Sequence, residues 1–305
     1  MRWGIGRTNY RISPGVYAVG RPDHTSPVLV SANYKLTFDA LRKELSGLNC
    51  WILILDTKGI NVWCAAGKGT FGTDELVSRM AKTGLSGIVS HRTLILPQLG
   101  AAGVSAREVT RQTGFSVVYG PVRARDIKAF LGSGLKATEE MRTVKFTMRD
   151  RLVLTPVELV QAAKMSLMVF GALFLINLFA ARPFGLADFI VYAGAVVTGT
   201  VVTPALLPFI PGRAFAWKGW LLGLCWTAGF IWFNGWFASE SPLLSTGYLL
   251  ALPSLSAFLA MNFTGSSTYT SFSGVIREMK AAVPLIVLSS AAGIVLVLIE
   301  TLSAL

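Results

Sequence analysis

The chain has 305 residues, 52% of them hydrophobic and only 14% charged, with a formal net charge of +12. That apolar share is too high for an ordinary soluble domain alone. The three cysteines, Cys50, Cys64 and Cys225, form no C-x-x-C pair, which excludes iron–sulfur and zinc-finger spacings.

The charges lie mostly at one end. Residues 1–164 hold 23 of the 28 Lys and Arg and 12 of the 16 Asp and Glu, a net charge of +11. Residues 165–305 hold five basic and four acidic residues. This split predicts a soluble domain over residues 1–156 and a membrane domain over 157–305. A basic domain beside a bilayer suits anionic membrane lipid. No aromatic-interleaved basic stripe suits nucleic acid. Met1-Arg2-Trp3-Gly4 lacks the apolar run of a cleavable signal peptide.

In chain order, the soluble part alternates strand and helix. Pro27–Val30 reads as a strand, and Leu36–Leu45 as a helix with Thr37 as N-cap. Trp51–Leu55 is a strand and Thr73–Lys82 a helix. Thr93–Leu96 is a strand ending at Pro97. Ser105–Thr113 is a helix with Ser105 and Glu108 at capping-box spacing. Ser116–Tyr119 is a strand and Arg125–Leu131 a helix. The alternation predicts a parallel, doubly wound α/β sheet of Rossmann-like (flavodoxin-like) type. Gly- and Pro-rich turns follow the strands: Lys58-Gly59 with Gly67 and Gly69, then Pro97 to Gly103, then Gly120-Pro121. Parallel strands place these turns on one sheet edge. They predict a backbone-lined cleft for a large planar cofactor, because glycine lets a ligand approach the backbone closely.

Cys64 follows the apolar strand Trp51–Leu55, near the start of a helical turn. There a thiol can serve as a nucleophile or a soft metal ligand. The plain alternative is a small buried residue in a tight turn. Gly67-Lys68 invites a phosphate-loop reading, but Val62 and Gly69 break that pattern. No G-x-G-x-x-G opens a helix after the first strand, so a dinucleotide site has weak support. Cys–His hydrolysis would need a histidine near the thiol, and only His24 and His91 exist. Cys50 and Cys225 read as packing residues.

Five apolar segments follow: Leu159–Ala181, Leu186–Ile210, Trp217–Phe237, Leu243–Phe263 and Val283–Leu302. Each is long enough to span a bilayer core of roughly 30 Å. Arg213 and Lys218 follow the second segment, and Arg277 and Lys280 the fourth. The positive-inside rule then predicts a multi-pass protein of the cytoplasmic (inner) membrane, with the amino-terminal domain cytoplasmic and the carboxyl terminus outside. Asp188 and Glu300 lie near segment ends and suit the interface. Asn177, Asn234, Thr198, Thr200 and Thr203 suit helix–helix contacts. The segments read as an anchor or scaffold more than as a transport path.

Asn61-Val62-Trp63-Cys64-Ala65-Ala66-Gly67-Lys68 resembles the cap-helix motif of the membrane-bound corrinoid protein of mercury methylation, the HgcA family. The resemblance extends through Ser26–Val30, Ala32–Phe38, Leu55–Ile60 and Tyr119–Ala124. These segments also resemble the corrinoid iron–sulfur protein of acetyl-CoA metabolism. The apolar segments match the mercury-methylation member, and this chain lacks the four-cysteine cluster motif of the iron–sulfur relatives.

The resemblance implies a cobalamin-type corrinoid held base-off, with the Cys64 thiolate as lower axial cobalt ligand. It implies a corrinoid-dependent methyltransferase that passes a methyl group from methyl-Co(III) to Hg(II). The alternative is a corrinoid methyl carrier of one-carbon metabolism with another acceptor. A thiolate is a soft, strong donor that raises electron density on cobalt, and Hg(II) is a soft acceptor. The implied partners are a ferredoxin-like protein with two 4Fe–4S clusters (HgcB-type) and a methyltetrahydrofolate-linked methyl donor. Cofactor contacts would come from Thr57, Asn61, Val62, Trp63, Cys64, Ala65, Ala66, Gly67 and Lys68. Further contacts would come from Gln98, Leu99, Gly100, Ala101, Gly103 and Val104, and from Tyr119, Gly120, Pro121 and Arg123.

Overall fold

The structure, a computed structural model, describes residues 9–180, 182–236 and 241–302. Met1 to Gly4, Ala181 and Phe237, used above to read a leader and span ends, lie outside the described residues. The chain divides into two compact units that meet in sequence at Lys145 and Phe146.

The first unit is an α/β domain on a five-stranded sheet: β1 (Gly15–Val19), β2 (Val28–Ala32), β3 (Cys50–Leu55), β4 (Thr93–Leu96) and β5 (Ser116–Tyr119). The spatial order is β1-β3-β2-β4-β5. Strands β2 to β5 pair in parallel, as the alternation predicts. Strand β1 was not predicted, and it makes the sheet mixed. It runs antiparallel along β3, with Gly15 opposite Ile54 and Val19 opposite Cys50. Its side chains are only half buried, so it carries little hydrophobic signal. An antiparallel edge strand on a parallel sheet is a common arrangement.

The strand residues alternate between two cores. Val28, Val30, Leu53, Leu55, Leu94 and Leu96 face one side and pack on Phe71, Leu76, Met80 and Val109. Leu29, Ile52, Ile54 and Ile95 face the other and pack on Phe38, Leu41, Leu45 and Phe130. Ile52, Leu53, Ile54 and Leu55 are fully buried. Each contributes about 1.5–3 kcal/mol through apolar burial. Two buried faces explain why these strands read as continuous apolar runs.

Helices α1 (Lys35–Glu44) and α5 (Ile127–Gly132) supply the second core; α2 (Val62–Gly67), α3 (Thr73–Thr83) and α4 (Ala106–Thr113) supply the first. Two expected caps differ. The N-cap of α1 is Tyr34 rather than Thr37, with no side-chain cap bond. At α4, Ser105 Oγ accepts from Glu108 N, but the Glu108 carboxylate turns to Arg111 and Gln112. The Ser105 N–H instead donates to Thr73 Oγ1 at 2.9 Å, so α3 completes the cap.

The second unit is helical: α6 (Thr155–Asn177), α7 (Leu186–Val197), α8 (Phe215–Phe233), α9 (Pro242–Asn262) and α10 (Phe272–Leu302). Among the described residues four helical stretches are long and apolar enough to cross a membrane: Met148–Asn177, Leu186–Leu206, Pro242–Ser266 and Ser273–Leu302. The third expected segment falls on α8, whose 19 residues include four Trp and Lys218 and which is not among these four stretches.

After α7 the helix loosens to a π turn at Thr198–Val202 before Thr203-Pro204. Proline has no N–H to continue the regular ladder. Small residues set the helix spacing. A Cβ on Gly219 would lie 2.6 Å from Ser256 O, and one on Gly293 2.6 Å from Gly247 O. Such close backbone approach is the usual basis of helix association in apolar surroundings.

The polar residues expected to bridge helices do otherwise. Thr200, Thr203 and Asn234 donate to carbonyls of their own helical stretches. Asn177 holds the backbone of Phe184. Bonds between helices include Ser166 with Tyr192, Ser256 to Ala195 O, Trp226 to Val191 O and Ser289 to Leu250 O. Asp188, in the first turn of α7, is buried. It accepts from Tyr248 Oη at 2.5 Å and from Gly185 N at 2.8 Å, and pairs with Arg182 at 3.3 Å.

Candidate functional site

The chain leaves β2 toward β3 on one side and reaches β4 on the other. The carboxyl ends of β2 and β4 therefore form a topological switch point, the usual ligand crevice of open α/β sheets. A cleft of about 450 Å³ opens there. Its walls include Ser31 near the end of β2, Tyr34 beyond it, Leu36 and Thr37 of α1, Pro97 and Leu99 beyond β4, and Gly120 and Pro121 beyond β5. Asn61, Val62 and Trp63 close one side. The lining is mainly apolar, which suits a flat organic group with few hydrogen bonds.

Helix α2 stands beside this cleft. Asn61 is its N-cap, and Asn61 Oδ1 accepts from Cys64 N at 2.9 Å. A cap of this kind satisfies an otherwise orphan N–H and fixes where the helix starts. Val62, Ala65 and Ala66 are buried on the first core, at the i, i+3, i+4 spacing of one helix face. Trp63, Gly67 and Lys68 are exposed and Cys64 is partly exposed. The thiol thus belongs to the outward part of the helix and is not a sealed packing residue. Ala65 and Ala66, expected beside a ligand, face the protein interior instead.

The expected loop glycines also serve the interior. A Cβ on Gly100 would lie 2.5 Å from a Phe71 ring carbon, and one on Gly103 2.1 Å from Phe71 O. Phe71 is fully buried beneath α2. These glycines permit close approach of protein to protein. Val104 is buried. Thr57 is buried too, its hydroxyl donating within the loop to Asn33 Oδ1 and Ile60 O. Tyr119 Oη donates to Val104 O at 2.6 Å, and burial raises its phenol pKa. Gln98 accepts from Arg142 Nη1 at 2.8 Å, Ala101 is exposed, and Arg123 is the N-cap of a short helix at Ala124–Asp126. Of the expected contacts, Asn61, Val62, Trp63, Leu99, Gly120 and Pro121 meet at the cleft, with Cys64 next to them on α2. Ser31, Tyr34, Leu36 and Thr37 were not anticipated. Their sequence signals were their place at the end of and just after the first parallel strand and, for Tyr34, Leu36 and Thr37, the resemblance over Ala32–Phe38.

The rival chemistries lack partners. His91 immediately precedes β4 at the amino edge of the sheet. It accepts from Thr93 N through Nδ1 and so donates from Nε2 to Ser26 O. His24 also precedes its strand. Both are at the edge opposite Cys64, which excludes a Cys–His pair. Burial pushes the Cys50 thiol up to about 11, so it stays protonated. Among the described residues no cluster of three or more His, Cys, Asp or Glu could hold a metal ion.

Comparison with known proteins places relatives at this same unit. Residues 6–131 match the family described as CO dehydrogenase/acetyl-CoA synthase delta subunit. The acetyl-CoA decarbonylase/synthase complex subunit gamma of Methanopyrus kandleri is 32% identical over 137 residues, 44% of this chain and 29% of that protein. The same subunit of Methanocaldococcus jannaschii is 32% identical over 122 residues, 39% of this chain and 25% of that protein. The gamma 2 subunit of Methanosarcina thermophila is 36% identical over 120 residues, 38% of this chain and 25% of that protein. The chain thus spans less than a third of the length of these relatives. The matches bear out the acetyl-CoA half of the resemblance and do not extend to mercury methylation. The amino-terminal α/β unit is related to subunits of acetyl-CoA metabolism.

Proposed function

We propose that the α/β unit is a corrinoid-binding methyl carrier of one-carbon metabolism, held at a membrane by the helical unit. The observation that carries this reading is the cleft at the switch point with the outward thiol of Cys64 beside it. When bound, a corrinoid would supply a cobalt-borne methyl group, the hard part of the chemistry.

The residues present fit that group. The cleft of about 450 Å³ would hold part of such a group, and its size suits the nucleotide base at the end of a corrinoid tail better than the whole ring. Its apolar walls exclude water, and Asn61, Tyr34 and Ser31 supply the few polar contacts. Cys64 offers cobalt a soft donor. Trp63 lines the cleft beside that donor and could exclude water from a bound ring. Lys68 is free to meet an amide on the corrin rim. Low-potential electrons and methyl groups would come from other proteins: a ferredoxin-like donor and a methyltetrahydrofolate-linked system. The four long apolar helices support membrane insertion, and Arg213 before α8, with Lys218, Arg277 and Lys280 near the starts of α8 and α10, supports a cytoplasmic α/β unit.

A second reading keeps Hg(II) as methyl acceptor. It is favoured by the Asn61–Lys68 segment, which presents a sulfur ligand in place of a weaker donor. One experiment separates the two. Full-length protein is loaded with isotopically methylated corrinoid. It is then mixed either with Hg(II) or with an acetyl-CoA decarbonylase/synthase preparation lacking its own gamma subunit. Label in acetyl-CoA supports the carrier; label in methylmercury supports the second reading. Label in neither, with corrinoid bound, sinks both.

A further inference from the structure

We propose that Asn33 is a positioning residue that sets α2, and with it the Cys64 thiol, against the cleft. This rests on the corrinoid reading above but concerns a residue that reading does not use.

Asn33 directly follows β2 and is 1% exposed. Its Oδ1 accepts from Thr57 N at 3.1 Å, Gly59 N at 2.9 Å and Thr57 Oγ1 at 2.8 Å. Its Nδ2 donates to Asp56 Oδ1 at 3.2 Å. Its own backbone is tied to Leu55 O and Ile12 N. Every one of the side-chain contacts falls on residues 56–59, the first part of the segment that joins β3 to α2.

That segment needs holding. Lys58 has φ 57° and Gly59 φ 73°, two successive left-handed residues, the first of them not glycine. Such a pair persists only where its surroundings fix it. Asp56 N is anchored separately by Glu75 Oε1 at 2.8 Å. From Thr57 the chain of bonds continues to Ile60 and then to Asn61, whose side chain caps Cys64 N.

Only an amide meets these demands. Aspartate would set a second carboxylate against Asp56, and serine would not reach both sides. An apolar residue would leave buried donors unpaired, a costly state. Asn33 is also flanked by cleft residues, since Ser31 and Tyr34 lie on either side of it. One side chain therefore ties the cleft wall to the loop that carries the thiol.

The test uses full-length protein in lipid nanodiscs, comparing wild type, Asn33→Ala, Thr57→Val, Thr57→Ser and Cys64→Ala. The first readout, without corrinoid, is hydrogen exchange of the peptide covering residues 56–66, against a β3 peptide as control. The second is the absorption spectrum with hydroxocobalamin, read for thiolate-dependent bands absent in Cys64→Ala. Asn33→Ala and Thr57→Val should exchange about tenfold faster over residues 56–66 with β3 unchanged. Both should bind cobalamin yet lose most of the thiolate-dependent bands, while Thr57→Ser keeps them.

Wild-type bands in Asn33→Ala and Thr57→Val, with only a lower Tm, would overturn the proposal. So would unchanged exchange over residues 56–66. If Asn33→Ala does not fold, Thr57→Val decides by the same criteria. If wild type itself shows no thiolate-dependent band, the corrinoid reading of Cys64 fails and the proposal for the thiol fails with it. The exchange data would then report separately whether Asn33 holds α2.

Discussion

Gly103 lies so close to Ala66 that a Cβ on it would be 3.0 Å from the Ala66 Cα, and 2.1 Å from the Phe71 carbonyl oxygen. The loop beyond β4 thus props the buried face of the helix that carries Cys64. The contact is backbone against backbone, so neither side can yield by turning a side chain.

Gly103→Ala should destabilise the α/β unit by about 1–3 kcal/mol through overpacking. Gly67→Ala, at a position with nothing within 4 Å of the added carbon, should be neutral or stabilising by up to about 1 kcal/mol. Thermal unfolding followed by limited proteolysis of the α/β unit measures both. Equal effects would show that the Gly103 contact does not hold in solution.

The thiols should differ in reactivity. At pH 8, Cys64 should alkylate at least about tenfold faster than Cys50, because the Cys50 thiol is buried and stays protonated. Quantitative mass spectrometry of iodoacetamide-labelled peptides reads this, and faster labelling of Cys50 would contradict it. Burial raises the Cys50 pKa from an ordinary value near 9 to about 11. Below pH 9 the thiol is neutral in both folded and unfolded chains, so stability does not depend on it. Between 9 and 11 the unfolded chain loses the proton first, and stability falls as pH rises. Cys50→Ala should flatten that alkaline limb of the stability profile.

Cys225 is exposed on α8 in the isolated chain. If the helical unit is embedded in lipid, a membrane-impermeant maleimide should leave Cys225 unlabelled in nanodiscs and label it after denaturation in SDS. Rapid labelling in intact nanodiscs would place α8 in water.

Asp188→Ala should destabilise the helical unit by about 3–5 kcal/mol. It would strip the Arg182 guanidinium, the Tyr248 hydroxyl and the Gly185 N–H of their shared acceptor. Tyr248→Phe should cost less, about 1–3 kcal/mol, because it removes one donor and leaves the ion pair in place. Thermal unfolding in detergent, followed by tryptophan fluorescence, ranks the two. An equal or reversed ranking would mean the ion pair carries little of the effect.

Much of the molecule was legible from local pattern. Apolar runs such as Trp51–Leu55 and Thr93–Leu96 mark buried parallel strands, because both faces of such strands must be apolar. The Asn61–Lys68 segment marks a thiol near the start of a helical turn, because it follows the buried strand Trp51–Leu55; the Asn61 cap emerged only in the structure. The apolar carboxyl-terminal segments mark long helices by length and composition alone. Tertiary structure decided what depends on neighbours distant in sequence. It added β1, whose half-buried residues carry no clear period until β3 pairs with them. It gave Ala65, Ala66, Gly100 and Gly103 a packing role, with Ala65 and Ala66 buried in the first core and Phe71 set against Gly100 and Gly103. It placed both histidines at the sheet edge away from Cys64, since strand direction is set by pairing. It also brought Asn33 to the loop before α2, a contact across 24 residues that exists only because β2 and β3 lie side by side.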